Sequence, residues 1–255
     1  MFAPYTWRVV RSKEPGAVSA APVEARGSAR EPNAEARPAA REPHAETRVE
    51  GKGGKYHHGD LRRALLDAAL ELVKEHGPSG ITLREAARRA GVTHAAPYRH
   101  FVDKGALLAA LAEEGFTRLR ADTVATIAAS EGMMRLELIG VSYIRFARNN
   151  PSQFRVMFGA ELGDKRRYPS LVEADQAVFD LLAEAIRGAQ ELSELPPGNP
   201  ARMGLVSWSM LHGVASLIVD GQMERAGVRD EAIEDFARRV ARTANAGMKQ
   251  WPSIK

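Results

Sequence analysis

The sequence predicts an all-α protein: a helix-turn-helix unit of three helices towards the N-terminus, a larger C-terminal helical bundle, and a disordered tail in front. Three observations carry that reading. From about Asp60 onward apolar residues recur at helical spacing, and no segment alternates as a strand would. The stretch from Ile81 to Leu108, ITLREAARRAGVTHAAPYRHFVDKGALL, reads as a short helix, a glycine turn, a second short helix and the start of a third. Residues 1–54 are poor in large apolar side chains and rich in Ala, Arg, Glu and Pro, a composition that buries too little surface to offset its ordering entropy. The expected organisation is therefore a tail over 1–54, a helix-turn-helix domain over 55–116 and a C-terminal domain over 117–255.

In the tail, Arg30-Glu31-Pro32-Asn33-Ala34-Glu35 recurs as Arg41-Glu42-Pro43-His44-Ala45-Glu46, and Pro22, Pro32, Pro38 and Pro43 interrupt any helix. The first helix places Leu61, Leu65, Ala68, Leu72 and Val73 on one face, and Gly77-Pro78-Ser79-Gly80 stops it. Thr82-Leu83-Arg84-Glu85 is a capping box that opens the second helix. Ala86, Ala87 and Ala90 keep that helix thin, and Gly91 supplies the left-handed residue that ends it. Thr93 is positioned to cap a third helix from His94 to about Val102, with Pro97 in its first turn. Asp103 caps the fourth, from Lys104 to about Ala121, with Leu107, Leu108, Leu111, Phe116 and Leu119 along it. Further helices are expected from Arg135 to Arg148, Ser152 to Phe158, Ser170 to Leu192, Pro200 to Glu224 and Asp230 to Lys249, with breaks at Asn149-Asn150-Pro151, Gly163-Asp164, Pro196-Pro197-Gly198-Asn199 and Gly227.

A helix-turn-helix lays its second helix in the DNA major groove and points that helix's N-terminal side chains at base edges. Here those positions are His94, Ala95 and Ala96, with Tyr98 and Arg99 a turn on. Histidine donates or accepts at a purine edge, and alanine methyl groups meet the thymine methyl. Tyr98, His100 and Lys104 are placed to hold phosphates, Arg84 reaches the groove or the backbone, and the cap residue Thr93 completes the edge. Charge placement agrees in sign. Residues 55–104 carry nine Lys/Arg against six Asp/Glu and hold five of the seven histidines, whereas residues 105–255 carry 18 against 19.

The segment from Tyr56 to Phe116 resembles the N-terminal domain of the TetR/AcrR family of bacterial transcriptional regulators. The resemblance rests on the run at 69–73, Gly77, Gly80-Ile81-Thr82, Arg84, Ala87, Ala90-Gly91-Val92, Pro97-Tyr98-Arg99-His100-Phe101, Lys104 and Leu107-Leu108. It implies DNA-contact roles for Arg84, His94, Ala95, Ala96, Tyr98, His100 and Lys104. Two positions depart from the family pattern: Pro97 stands where leucine is commoner, and Gly105 where an acidic residue often helps start the fourth helix. Trp208-Ser209-Met210-Leu211-His212-Gly213, continued by Leu217 and Gly221, resembles the C-terminal signature of TetR regulators with a WHG domain.

Trp208 and His212 share a helical face. They are either ordinary core with a hydrogen-bonded histidine or the lining of an effector pocket. With Tyr143, Phe146, Phe154, Met157, Phe158, Phe179 and Met210 they form the pocket candidates, although such residues at helical spacing equally fill a core. The resemblance further implies a homodimer sealed by the last two long helices. Leu205, Val206, Leu217, Ile218, Ile233, Phe236, Val240 and Ala244 are the candidate seam.

No cysteine is present, which removes disulfides, thiolate metal sites and cysteine nucleophiles. No apolar stretch reaches transmembrane length and the first residues lack a signal-peptide core, so a cytoplasmic protein without membrane contact is expected. His57-His58 lacks further metal ligands at a useful spacing, Gly51-Lys52-Gly53-Gly54-Lys55 is not a phosphate-binding loop, and His212 with Asp220 makes no hydrolytic triad. The sequence thus predicts no enzyme, metal or cofactor. It predicts a regulator, most simply a repressor, with a double-stranded DNA operator, a second copy of itself and a small-molecule effector as partners. The alternative from another class is a helical module that sequesters a hydrophobic ligand without specific DNA binding.

Overall fold

A computed structural model describes residues 58–130, 134–223 and 233–251; the predicted tail and, with it, Tyr56 and His57 lie outside them. Eight α-helices follow in order: α1 His58–His76, α2 Leu83–Arg89, α3 Lys104–Ala128, α4 Arg135–Asn149, α5 Pro151–Phe158, α6 Pro169–Glu191, α7 Pro200–Val219 and α8 Ile233–Lys249. Short 3-10 turns lie at Ala96–Arg99, Ala160–Leu162 and Lys165–Arg167, and no strand occurs among the described residues. Glu224, Gly227 and Asp230, named in the predicted end of one helix, break and start of the next, fall outside the described residues.

The local signals explain most boundaries. Glu85 N–H donates to Thr82 Oγ1 at 3.2 Å, and the Thr82 hydroxyl donates to the Glu85 carboxylate at 2.9 Å. The glutamate thus closes the box through the threonine side chain. Gly91 adopts φ +71° and Val92 N–H returns to the Ala87 carbonyl, a left-handed helix stop. Asp103 Oδ1 accepts from Ala106 N–H at 2.7 Å and starts α3. Asn199 does the same for α7 through Ala201 and Arg202.

Apart from α7, which stops at Val219 with Gly221 at φ +67° instead of running on towards Glu224, two elements depart from the sequence expectation. The helix expected from His94 to Val102 is only the 3-10 turn Ala96–Arg99, and its N-cap position is Ala95, with no side-chain cap from Thr93. Proline is the cause. Pro97 has no amide to give and disfavours α geometry at Ala96 before it. Ala96 N–H therefore bonds three residues back to Thr93, while the amides of His100 and Phe101 both converge on the Pro97 carbonyl. The second departure is α3, which runs to Ala128 rather than stopping near Ala121 and passes through residue 116 without a break. Thr123 ties that stretch to α4, because its buried hydroxyl donates to the Leu119 carbonyl and meets Ser142 on α4.

α3 is the central strut. It packs on α4, α5 and α6, while α4 packs on α7 and α8. One apolar core joins Leu65, Leu72 and Ile81 at the N-terminal end, through Leu108, Leu111 and Phe116 of α3, to Ile144, Leu211 and Ala241. Each fully buried leucine contributes about 1.5–3 kcal/mol relative to exposure. A second core at the other end gathers Leu136, Ile186, Leu195, Met203 and Met248. Glu137 on α4 is buried and takes its charge partner from α8, with Arg242 Nε at 2.9 Å.

Candidate nucleic-acid interface and effector cluster

The helix-turn-helix is held together from behind and open in front. Arg89 on α2 reaches Glu75 on α1 at 2.7 Å, and Arg63 joins α1 to Glu114 of α3 at 3.2 Å. Lys104 donates to the Ser79 carbonyl at 2.6 Å and so ties the start of α3 to the loop between α1 and α2. Under the 3-10 turn, Pro97 and Phe101 are buried, and the Arg62 guanidinium lies 5.8 Å over the Phe101 ring.

That anchoring fixes what faces outward. Arg84, Thr93, His94, Ala95, Tyr98 and Arg99 are exposed, and Ala96 is half-buried at the edge of the turn. A tyrosine more than half exposed, on a turn whose neighbours are core, is an apolar surface awaiting contact. Two expected phosphate contacts are placed differently. His100 Nε2 is buried without a hydrogen-bond partner among the described residues, so that nitrogen faces the protein. The Lys104 ammonium donates to the Ser79 carbonyl at the exposed surface and so also braces the unit. Val102, 78% exposed, extends the same surface and was given no role from sequence.

Of the predicted pocket residues, five come together, four of them ringed around His212. His212 stacks on Trp208 at 4.8 Å between ring centroids and lies 4.7 Å from Phe158 and 5.5 Å from Phe154. Its Nδ1 pairs with the Tyr143 hydroxyl at 2.8 Å. Burial and the nearby Lys165 ammonium hold the imidazole below its ordinary value, so it is neutral at pH 7. Burial pushes the Tyr143 phenol well above the ordinary range, with Trp208 opposing and Asp175 adding to the shift. The phenol therefore keeps its proton and donates to Nδ1 in the tautomer that leaves that nitrogen unprotonated.

Phe146, Met157, Phe179 and Met210 sit elsewhere. Met157 is fully buried beside Gly115 of α3. Phe146 lines a separate groove of about 510 Å³ between α3 and α4, with Arg118, Asp122, Thr126 and Arg145. Phe179 is half-buried and makes no aromatic pair among the described residues; Met210 is exposed on the opposite side of α7. Sequence reasoning missed Phe116 and Lys165 as members of the cluster. Lys165 Nζ stands 5.0 Å over the Phe116 ring and 5.5 Å over Phe158, and pairs with Asp175 at 3.1 Å. These positions come from three elements distant in sequence, and no spacing signals them.

The candidate seam divides as well. Val206, Met210 and Leu217 form an exposed apolar stripe on α7, with Leu205 and Ile218 half-buried beside it. Phe236 is half-buried on α8. Ile233, Val240 and Ala244 are buried within the protomer's own core, because α8 turns its apolar face onto α4. That inward packing corrects the expectation that those three line a seam. Among the described residues α7 is the one helix long and apolar enough to cross a membrane by composition, and the exposed stripe is part of the reason.

Comparison with known proteins now bears on this geometry. Residues 65–111 match the family described as bacterial regulatory proteins, tetR family, and residues 136–244 match a tetracyclin repressor-like C-terminal domain. The HTH-type transcriptional regulator BetI of Agrobacterium fabrum is 34% identical over 209 residues, 76% of this chain and 94% of that protein. The chain belongs to the tetR family. Tetracycline repressor protein class D of Escherichia coli is 37% identical over 94 residues, 37% of this chain; the match spans 38% of that repressor's length. A solved protein of unknown function from Rhodococcus sp. RHA1 superimposes with a TM-score of 0.66 at 34% identity, covering 78% of this chain and all of that one. The fatty acid degradation regulator FadR of Bacillus halodurans shares the fold, with a TM-score of 0.59 at 15% identity over 78% of this chain and 99% of its own. The tetR family member described here thus has relatives that are transcriptional regulators.

Proposed function

We propose that this tetR-family protein is a DNA-binding, ligand-responsive transcriptional repressor that acts as a homodimer on a pseudo-palindromic operator. Residues 55–116 form the reading end, and residues 117–255 carry the effector site and the dimer seam. The observation that carries the reading is the outward edge Arg84, Thr93, His94, Ala95, Tyr98 and Arg99, presented on a turn whose reverse side is clamped into the core. A rigid mount is what base readout needs, because contacts to base edges discriminate only when register is fixed.

The family relationship supports the remainder. Dimerisation along the α7 stripe of Val206, Met210 and Leu217 would remove apolar surface from water and hold two reading turns about one helical repeat, ~34–36 Å, apart. The Trp208-His212-Gly213 face supports placement in the WHG branch, with the aromatic cluster around His212 as the effector site. An effector releases DNA only through differential affinity for two conformations, and a coupling of about 1–3 kcal/mol suffices. α3 is the element that would carry it, because it begins directly behind the reading turn and runs on to Ile127, which packs against the second core.

The test is fluorescence anisotropy of the full chain on labelled DNA flanking its own gene, across a salt series. Saturable binding well above that to random DNA is expected, with log affinity falling linearly with log salt, by about 0.9 per phosphate contact. His94→Ala is expected to alter sequence preference, and Tyr98→Phe to weaken all duplexes alike. Equal binding to specific and random DNA would refute the reading and favour the sequestering module.

A further inference from the structure

The groove between α3 and α4 carries positive charge that its own carboxylate does not balance. Its volume is about 510 Å³, and it shares no lining residue with the aromatic cluster around His212. That volume falls in the range of small-molecule sites. Arg118, Asp122 and Thr126 stand on the α3 wall, Arg145 and Asn149 on the α4 wall, and Phe146 is buried beneath them. Arg145 is half-buried, and its guanidinium donates to the Thr126 hydroxyl at 2.5 Å. Thr126 in turn donates to the Asp122 carbonyl at 2.7 Å. The hydroxyl proton is thus used within α3, and an oxygen lone pair aims the guanidinium. Among the described residues no carboxylate is paired with Arg145, and Arg118 meets Asp122 only at 3.9 Å, beyond hydrogen-bonding range.

We propose that this groove is a ligand site in its own right, and that it takes a small molecule bearing an oxyanion, phosphate or carboxylate, between Arg118 and Arg145. The charge balance selects the class. Two guanidiniums face one carboxylate, so a cation is repelled. An uncharged apolar molecule would cover N–H donors without giving them acceptors, which costs free energy. A guanidinium presents its donors as a rigid planar fork, and Thr126 accepts from one end of the Arg145 head. The paired oxygens of a carboxylate or phosphate match what is left of that fork through parallel bonds. Asn149 adds an exposed amide on the same wall.

Occupancy has a structural consequence. The two arginines belong to different helices, so an ion held by both bridges α3 to α4. Thr123 and Ser142 already join the same pair of helices at 3.2 Å. The bound ion adds a second link that exists only in the folded chain, and thermal stability should rise with its concentration. Neither the DNA reading nor the effector cluster is needed for this binding.

Isothermal titration of the full chain with phenyl phosphate, succinate and succinamide tests the site. The first two separate phosphate from carboxylate as the source of the oxyanion; succinamide keeps the size of succinate without its charge. At least one of the anions is expected to bind, with succinamide inert, and the melting temperature should rise with that anion. Arg145→Gln keeps a donor for Thr126 and removes the charge, so affinity should fall about 10- to 100-fold, as loss of a charge-assisted hydrogen bond implies. Arg145→Lys keeps the charge without the fork and should recover part of that loss. Arg118 is exposed, so Arg118→Gln weakens binding without disturbing the half-buried position. Arg187→Gln removes an exposed charge from α6 outside the groove and should leave the affinity in place. Circular dichroism verifies that each variant retains its helices. Binding of neither anion, succinamide binding as well as succinate, or equal losses from Arg145→Gln and Arg187→Gln overturns the proposal. A loss from Arg84→Gln with none from Arg145→Gln puts the anion on the reading edge and overturns it too. A chain that takes the anion as described but binds no specific DNA fails the earlier reading and not this one.

Discussion

Tyr143→Phe isolates the one hydrogen bond at the centre of the C-terminal cluster. The phenol is buried, 5% exposed, and meets His212 Nδ1 at 2.8 Å. Phenylalanine keeps the ring and hence its edge contacts to Phe154 at 5.8 Å and Phe158 at 6.3 Å, so little packing is lost. What disappears is a donor, leaving a half-buried imidazole nitrogen without it. A net protein hydrogen bond contributes about 0.5–1.5 kcal/mol, and a stranded buried partner costs about 1–3 kcal/mol. A loss of about 1–2 kcal/mol is expected, which lowers the folded-to-unfolded ratio by roughly 5- to 30-fold. The assay is urea denaturation followed by circular dichroism at one fixed protomer concentration, because dimer stability depends on concentration. A cycle with His212→Phe isolates the pair, and the coupling should recover most of the single-variant loss. A midpoint within error of the parent, or zero coupling, would show that the 2.8 Å contact contributes nothing to the folded state.

Three further outcomes follow from the same geometry. His212 is held below its ordinary value of about 6.5, so the unfolded chain takes up its proton first as pH falls; stability from this group is intact above about pH 6.5 and lost below it. Melting temperature should therefore drop between pH 7.5 and 5, and His212→Asn should flatten part of that slope; parallel slopes would contradict the assignment. At Gly140 a methyl would lie 2.8 Å from the Ala241 methyl and 3.1 Å from Leu211, so α4 and α8 must separate. Overpacking costs about 1–3 kcal/mol against a helix-propensity gain of at most about 1 kcal/mol, and Gly140→Ala should melt lower than the parent; an unchanged or higher melting temperature would show that the helices accommodate it freely. Leu217→Arg places a charge on the exposed α7 stripe and is expected to yield folded monomer in sedimentation analysis, whereas an intact dimer would put the seam elsewhere.

Most of the helix-turn-helix was legible because its signals are local. Thr82 and Glu85, Gly91 and Asp103 act within four residues of themselves, and the structure uses each at the predicted boundary. Pro97 was legible as a proline in the first turn of a helix, but not the tighter winding it imposes on Ala96 to Arg99. The reach of α3 past Ala121 was hidden, because Ser142, which meets Thr123, lies on another helix. The aromatic cluster was half visible. Tyr143, Phe154, Phe158, Trp208 and His212 stood out by residue type, whereas Phe116 was placed only along the fourth helix and Lys165 was not singled out.

The chain by itself determined where most helices start and which short segment carries the helix-turn-helix pattern, since caps, turns and apolar periodicity are properties of neighbouring residues. Only the tertiary structure decided which faces stay open. Val240 and Leu217 are equally apolar, yet one is buried against α4 and the other is left on the surface, because burial depends on where a second helix lands. Likewise only folding brings the Lys165 ammonium over the rings of Phe116 and Phe158, which lie on two other helices.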